Sequence, residues 1–182
     1  ELISANPMNK IKNEEKPHKH RTEREYLTID ELRKLAQTPF YNSLLKKAFL
    51  FSCFCGLRHS DIIALTWGDI EMDDDGNSRL YIIQKKTKEA ISLPLSQEAI
   101  KQLPKLEDAK EDDIIFKKLI TLGRTNEILP KWAEQAGIKK HITFHTARHT
   151  HATMLLTLGV DLYTVSKLLG HTNIQTTQIY AK

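Results

Sequence analysis

Apolar and polar positions fall into a helical rhythm at Thr28 and keep it, with one interruption, to the end of the chain. Thr28-Ile-Asp-Glu31 has the spacing of a capping box, in which threonine and glutamate each serve the other's backbone N–H. Leu32 and Leu35 follow on one face. A second helix is predicted over 42–55, with Leu45, Phe49 and Phe51 among its core positions and Gly56 as its stop. A short helix over 59–65 comes next. The interruption covers 68–93. There, residues 68–71, 79–85 and 90–93 carry short strand patterns, and Asp74-Asp75-Gly76-Asn77 supplies a turn. No stretch long enough for a crossover helix separates them, so the three strands are predicted to pair antiparallel. Helices resume over 96–103, 125–136, 145–158, 161–169 and 173–181, punctuated by glycines at 123, 137, 159 and 170. The expected fold class is mainly α (α+β), with a small three-stranded antiparallel sheet.

Ahead of this pattern, the first 25 residues follow no period and are dense in Lys, Glu and His, with prolines at 7 and 17. Such composition predicts a solvated linker. The chain opens on Glu1 and not on Met, and a fragment of a longer protein is expected. At 182 residues, 40% hydrophobic and 27% charged, the chain suits one globular domain with a true core. Its formal charge of +4 favours an anionic partner only weakly. No signal-peptide pattern opens the chain and no apolar run is long enough for a bilayer, so a cytoplasmic protein is expected, with no membrane partner. Cys53 and Cys55, inside FLFSCFCGL, are expected to be buried free thiols.

Three segments hold the candidate chemistry: GLRHSDI at 56–62, FHTARHTHAT at 144–153 and LLGHTNIQTTQIY at 168–180. On a helix His145 and Arg148 share a face. Arg58 and His171 each lie just past a helix-stopping glycine. Taken singly, each of these residues has an ordinary explanation: a surface arginine paired with Asp61, a solvated helix face, a packed tyrosine.

Together they resemble the tyrosine recombinase (phage integrase) family, catalytic domain, over about Tyr26 to the end of the chain. Gly56-Leu57-Arg58 with Asp61 is similar to the family's first arginine motif. His145 and Arg148 match its H-x-x-R box, and RHTHAT follows much as RHSFAT does in relatives. Leu169-Gly170-His171 matches the LGH box, and Tyr180 stands nine residues further on. Relatives also place a lysine in the sheet before a Pro-Leu ending. In QKKTKEAISLPL this is Lys86, with Lys85 and Lys88 as rivals. Residues 1–25 are then expected to be a linker from a missing N-terminal core-binding domain, and 26–182 the catalytic domain.

The resemblance implies a site-specific DNA recombinase or integrase of a mobile element, such as a phage or conjugative transposon. It would cut and rejoin double-stranded DNA through a 3′-phosphotyrosyl bond, without metal, ATP or cofactor. Further protomers would join it in a synaptic tetramer, and a bacterial, nucleoid-associated location would follow. A free phenol has a pKa of about 10, so Tyr180 needs help to attack, and His145 is the candidate base. Arg58 and Arg148 suit the charge that builds on phosphate, because guanidinium donors form paired bonds to two oxygens. His171 would add a donor, Lys86 would protonate the departing 5′ oxygen, and Asp61 would orient Arg58. His149 is expected to pack or hydrogen-bond near the site, His151 and His141 to be ordinary, and Ser60 to lack a base.

Three rivals define the alternatives. A zinc enzyme would use His145 and His149 at i, i+4, but the helix glutamate of H-E-x-x-H is absent. A non-catalytic DNA-binding module and a type IB topoisomerase would share the basic helical surface. Binding dominated by phosphate contacts is expected to be weak and to fall steeply with salt. Relatives continue past the tyrosine, whereas this sequence ends two residues after Tyr180. A mostly monomeric protein with a loose Tyr180 helix is expected on that basis.

Overall fold

The computed structural model describes residues 24–72, 77–105 and 108–181, together with Ile11, Glu15 and Asp74. Nearly all of the expected linker over 1–25, and half of the turn at 74–77, lie outside the described residues.

Helix α1 (Ile29–Gln37) starts at the expected capping box. Glu31 N donates to Thr28 Oγ1 at 3.2 Å, and Thr28 N donates to Glu31 Oε2 at 2.8 Å. Helix α2 (Ser43–Cys55) is capped by Asn42 and ends at Gly56, whose φ of +70° is the left-handed turn a side chain resists. Leu45, Ala48 to Cys53 and Cys55 are all buried, so α2 is apolar around most of its circumference and runs through the centre of the domain.

A one-turn helix α3 (His59–Ile62) follows. It stops short of the expected Leu65: Ala64 N and Leu65 N bond three residues back, to Asp61 O and Ile62 O, and Leu65 O then accepts Ile115 N at 2.8 Å while Thr66 bridges to Ile114. Strands β1 (Ile70–Met72), β2 (Ser78–Ile83) and β3 (Ala90–Pro94) pair antiparallel in that order, with Leu80 opposite Ile70 and Leu93. Leu80, Ile91 and Leu93 turn toward the core, and Tyr81 and Ile83 toward solvent.

Helices α4 (Gln97–Ile100), α5 (Leu122–Gln135), α6 (Phe144–Thr157), α7 (Leu162–Leu168) and α8 (Gln175–Gln178) complete the chain. Helix α2 packs along α6 and against α4. Phe49 meets both Trp132 and Phe144 edge-on, at ring-centroid distances of 5.9 and 6.0 Å. Trp132 stacks on Phe40 at 4.7 Å and donates its indole N–H to Thr38 O at 3.2 Å.

The chain entering α1 is fastened to α6 and to the turn before it. Leu27 N donates to Thr150 Oγ1 at 2.9 Å, and Lys140 Nζ reaches Glu31 Oε2 at 2.6 Å and Tyr26 O at 2.9 Å. Among the described residues no helix is long and apolar enough to cross a membrane.

Candidate active site

The left-handed turn at Gly56 brings the end of α2 against α6 and α7. A Cβ there would meet His151 Cδ2 at 2.6 Å and Leu169 Cδ2 at 3.0 Å, so only glycine fits both the turn and the approach. Beyond that turn Arg58 caps α3, and its guanidinium Nη1 donates to Gln84 Oε1 at 2.5 Å. Asp61 is buried and acts through the backbone. Its Oδ2 accepts Arg58 N at 3.3 Å and its Oδ1 accepts Lys85 N at 3.0 Å. The expectation that Asp61 orients Arg58 thus takes a different form: it seats the arginine's main chain and the β2–β3 hairpin, while Gln84 holds the guanidinium.

Arg148 projects from α6 with 2% of its surface exposed. Nη1 donates to Gly56 O at 2.8 Å and Nη2 to Leu169 O at 2.5 Å. Burial, followed by the nearby Arg58 charge, brings its pKa down to about 10, so it remains a cation at neutral pH. Among the described residues neither Arg58 nor Arg148 forms an ion pair with a carboxylate.

Two histidines and the tyrosine gather at this cationic centre. Tyr180 Oη lies 2.6 Å from His149 Nδ1, and the His149 ring stands edge-on to His145 at 4.5 Å. The phenol's partner is His149, one helical turn beyond the expected His145. Partial enclosure and then the charges of Arg148, Arg24, Arg58 and Lys86 depress the pKa of His145 to about 4. Burial, then His145, Arg24, Arg148 and His171, depress His149 to about 3. Both imidazoles are neutral at pH 7, and His149 accepts from the phenol when its own proton is on Nε2. Burial raises the Tyr180 pKa, against the pull of Arg148, Arg24 and Arg58.

His171 enters from the α7 end. Its Nδ1 lies 2.8 Å from the hydroxyl of the fully buried Thr177, and its pKa is lowered to about 4 by burial and then by Arg148 and Arg58. Lys86 occupies the exposed β2–β3 turn and is the hairpin lysine whose charge acts on His145.

The final segment departs from the expected 173–181 helix. Asn173 Oδ1 accepts Gln175 N at 2.8 Å, and Tyr180 N and Ala181 N bond to carbonyls three residues back. The tight turn swings Tyr180 inward against the small cluster of Ala152, Val165 and Leu169. This counts against a Tyr180 that stands loose from the rest of the domain.

Gln84, Arg24 and the His149–Tyr180 contact escaped the sequence reading. Arg24 lies within the expected linker, yet it acts on His145, His149, His171 and Tyr180 and lines a groove beside the tyrosine with Tyr26, Leu156 and Ile179. Its signal was only a basic residue just ahead of the first cap. His151 is buried against Gly56 and His141 is exposed. Among the described residues no group of three or more His, Cys, Asp or Glu side chains is placed to hold a metal ion.

The same architecture occurs in known proteins. The crystal structure of XerA recombinase superposes with a TM-score of 0.68 at 22% identity, covering 92% of this chain and 62% of that one. A λ integrase dimer bound to a COC′ core site gives 0.69 at 22% identity, covering 90% and 61%. In sequence, the chain is 37% identical over 139 residues to the tyrosine recombinase XerD of Proteus mirabilis, covering 69% of this chain and 43% of that protein. It is 34% identical over 197 aligned residues to XerD of Listeria innocua, covering 98% and 63%. The chain thus spans about half the length of the curated relatives it matches. Residues 25–182 match the model of the phage integrase family, and the chain belongs to that family of tyrosine recombinases.

Proposed function

We propose that this chain is the catalytic domain of a site-specific recombinase or integrase that cuts and rejoins double-stranded DNA through Tyr180. The observation that carries this is Arg148: a buried cation with two carbonyl partners and, among the described residues, no carboxylate in ion-pair contact, its charge coupled to Tyr180. A guanidinium shielded from water and lacking a counter-ion favours an arriving anion. With Arg58 next to it, that anion is best a DNA phosphate, two of whose oxygens the arginines would share.

In the reaction Tyr180 Oη attacks phosphorus as its proton passes to His149 Nδ1. The bond from phosphorus to the 5′ oxygen breaks, that oxygen keeps the electron pair, and Lys86 gives it a proton. A 3′-phosphotyrosyl linkage and a free 5′ hydroxyl result, and attack by a 5′ hydroxyl reverses the step without ATP. Burial is the first cause that holds His149 near 3, and nearby positive groups add to it; a negative phosphate offsets that second share, so substrate itself makes the imidazole a better base. If His171 accepts the Thr177 hydroxyl at Nδ1, its proton sits on Nε2, free to donate to phosphate. His145, on the exposed side of His149, would add a further polar contact to the bound strand.

Double-stranded DNA and further protomers, assembled as a synaptic tetramer, are the partners of this activity. The segments QKKTKEAISLPL and RHTHATMLL support an integrase of a phage or conjugative transposon, at work on the bacterial nucleoid. The test is incubation with nicked suicide duplexes carrying a candidate recombination site, followed by denaturing electrophoresis. A protein–DNA band is expected for the native chain and none for Tyr180→Phe. A band that persists without the hydroxyl would overturn the assignment.

A further inference from the structure

Gln84 is the last residue before the hairpin turn and its side chain is fully buried. A primary amide offers an oxygen that accepts and a nitrogen that donates, and here both are committed. The oxygen accepts Arg58 Nη1 at 2.5 Å and the Thr87 hydroxyl at 2.9 Å. The nitrogen donates to Leu169 O at 3.0 Å, and this carbonyl also accepts Arg148 Nη2 at 2.5 Å. Because arginine only donates, the orientation of the amide is settled by its neighbours.

The backbone of the same residue closes the turn. Gln84 N donates to Glu89 O and Gln84 O accepts Lys88 N, each at 2.9 Å. Lys86 rides on the loop so formed. Gly170 supplies an independent sign of fit: at φ +63°, a Cβ there would stand 2.7 Å from Gln84 Oε1 and 3.0 Å from Nε2. The glycine of the LGH box leaves the room this amide occupies.

We infer that Gln84 is a positioning residue, coupling the seating of the Lys86 turn to the Arg58–Arg148 clamp. It rests on the reading that these three cations act on one scissile phosphate. No other side chain meets all three demands. Glutamate would set an oxygen against Leu169 O, methionine would leave Arg58 and Leu169 O without the amide, and alanine would also open a cavity. A displacement of about 1 Å at a reacting group costs up to roughly 100-fold in rate.

The inference is tested by single-turnover cleavage of a suicide duplex, using native chain, Gln84→Met and Thr87→Val, each checked for a cooperative thermal melt. A second duplex carries sulfur in place of the 5′ bridging oxygen, a leaving group that needs little proton donation. Thr87→Val cuts only the amide's side-chain link to the turn and leaves the buried amide and the backbone bonds of Gln84 in place. It is expected to lose about 5-fold on oxygen, the value of one hydrogen bond, and to recover fully on sulfur. Gln84→Met is expected to lose 10- to 100-fold on oxygen and to recover only in part, the remainder belonging to Arg58.

Native-like rates for both variants overturn the inference, as does complete recovery or no recovery of Gln84→Met on sulfur. Should Gln84→Met fail to melt cooperatively, Thr87→Val decides alone: loss on oxygen with recovery on sulfur supports the coupling, and any other pattern overturns it. If the native chain itself forms no covalent band, the proposed activity fails first and the coupling with it.

Discussion

Phe49 and Arg148 lie in one packed unit, the first fully buried and the second 2% exposed, and they differ in what burial leaves them. Phe49 belongs to the apolar core and meets the rings of Trp132 and Phe144, so its removal from water is favourable and nothing further is required. Around Arg148 two carbonyls satisfy part of the guanidinium, and its charge meets Asp61 only through space, with no carboxylate in ion-pair contact among the described residues. Three histidines nearby are depressed first by burial and then by the same positive field. The aromatic region is finished in the protein alone, while the cationic region keeps the open charge that the proposed phosphate would meet. Stability and chemistry therefore respond to different substitutions.

The widest separation is expected from Phe49→Ala. Loss of a buried ring costs about 3–5 kcal/mol of unfolding free energy, read by urea denaturation, and cleavage per folded molecule stays within a few-fold. A loss below about 1 kcal/mol would show that the aromatic cluster does not hold α2, α5 and α6 together. Arg148→Met reverses the pattern. Cleavage falls roughly 100- to 1000-fold, as for removal of one preorganised donor. Stability shifts by no more than about 2 kcal/mol either way, because relief of charge burial opposes the loss of a partner for Gly56 O. An unchanged cleavage rate would break the comparison outright.

Acid sharpens the contrast at the smallest scale. His151 is buried and its pKa is lowered to about 4, chiefly by burial. In the unfolded chain it titrates near 6.5, so between about 6.5 and 4 the unfolded state binds the proton and the folded state does not. Stability is thus lost as pH falls through that window, by about 3 kcal/mol from this group. His145, His149 and His171 act in the same direction. His151→Phe, the residue of RHSFAT in relatives, should flatten the slope measured by denaturation at pH 7.5, 5.5 and 4.5. Equal slopes for both proteins would assign the acid loss elsewhere.

What could be read from the sequence was local or periodic. The Thr28–Glu31 cap, the end of α2 at Gly56 and the antiparallel pairing of strands joined by short connections each depend on neighbouring stretches of chain. The three segments that bring Arg58, Arg148 and Tyr180 together were legible as motifs, and the fold does converge them. Gln84 was not, since its partners Arg58 and Leu169 stand 26 and 85 residues away and a glutamine at a strand end has no pattern of its own. The choice of His149 over His145 as the phenol's partner was also hidden. It turns on the direction in which the final tight turn swings the ring, and spacing is silent on that. The overlong reading of the last helix has the same origin: helix-forming residues continue to 181, but Asn173 and Thr177 spend their side chains on other partners.

The two thiols of α2 have a practical consequence. Cys53 is wholly enclosed and Cys55 nearly so, the Cys55 thiol donates to Phe51 O at 3.0 Å, and burial pushes its pKa up to about 12. With so little thiolate and no access, neither sulfur meets an alkylating reagent while α2 stays docked. Cys55 directly precedes the glycine whose carbonyl steadies Arg148. Its rate of modification would thus clock the opening of the helix end beneath Arg148, in a chain that needs no added label.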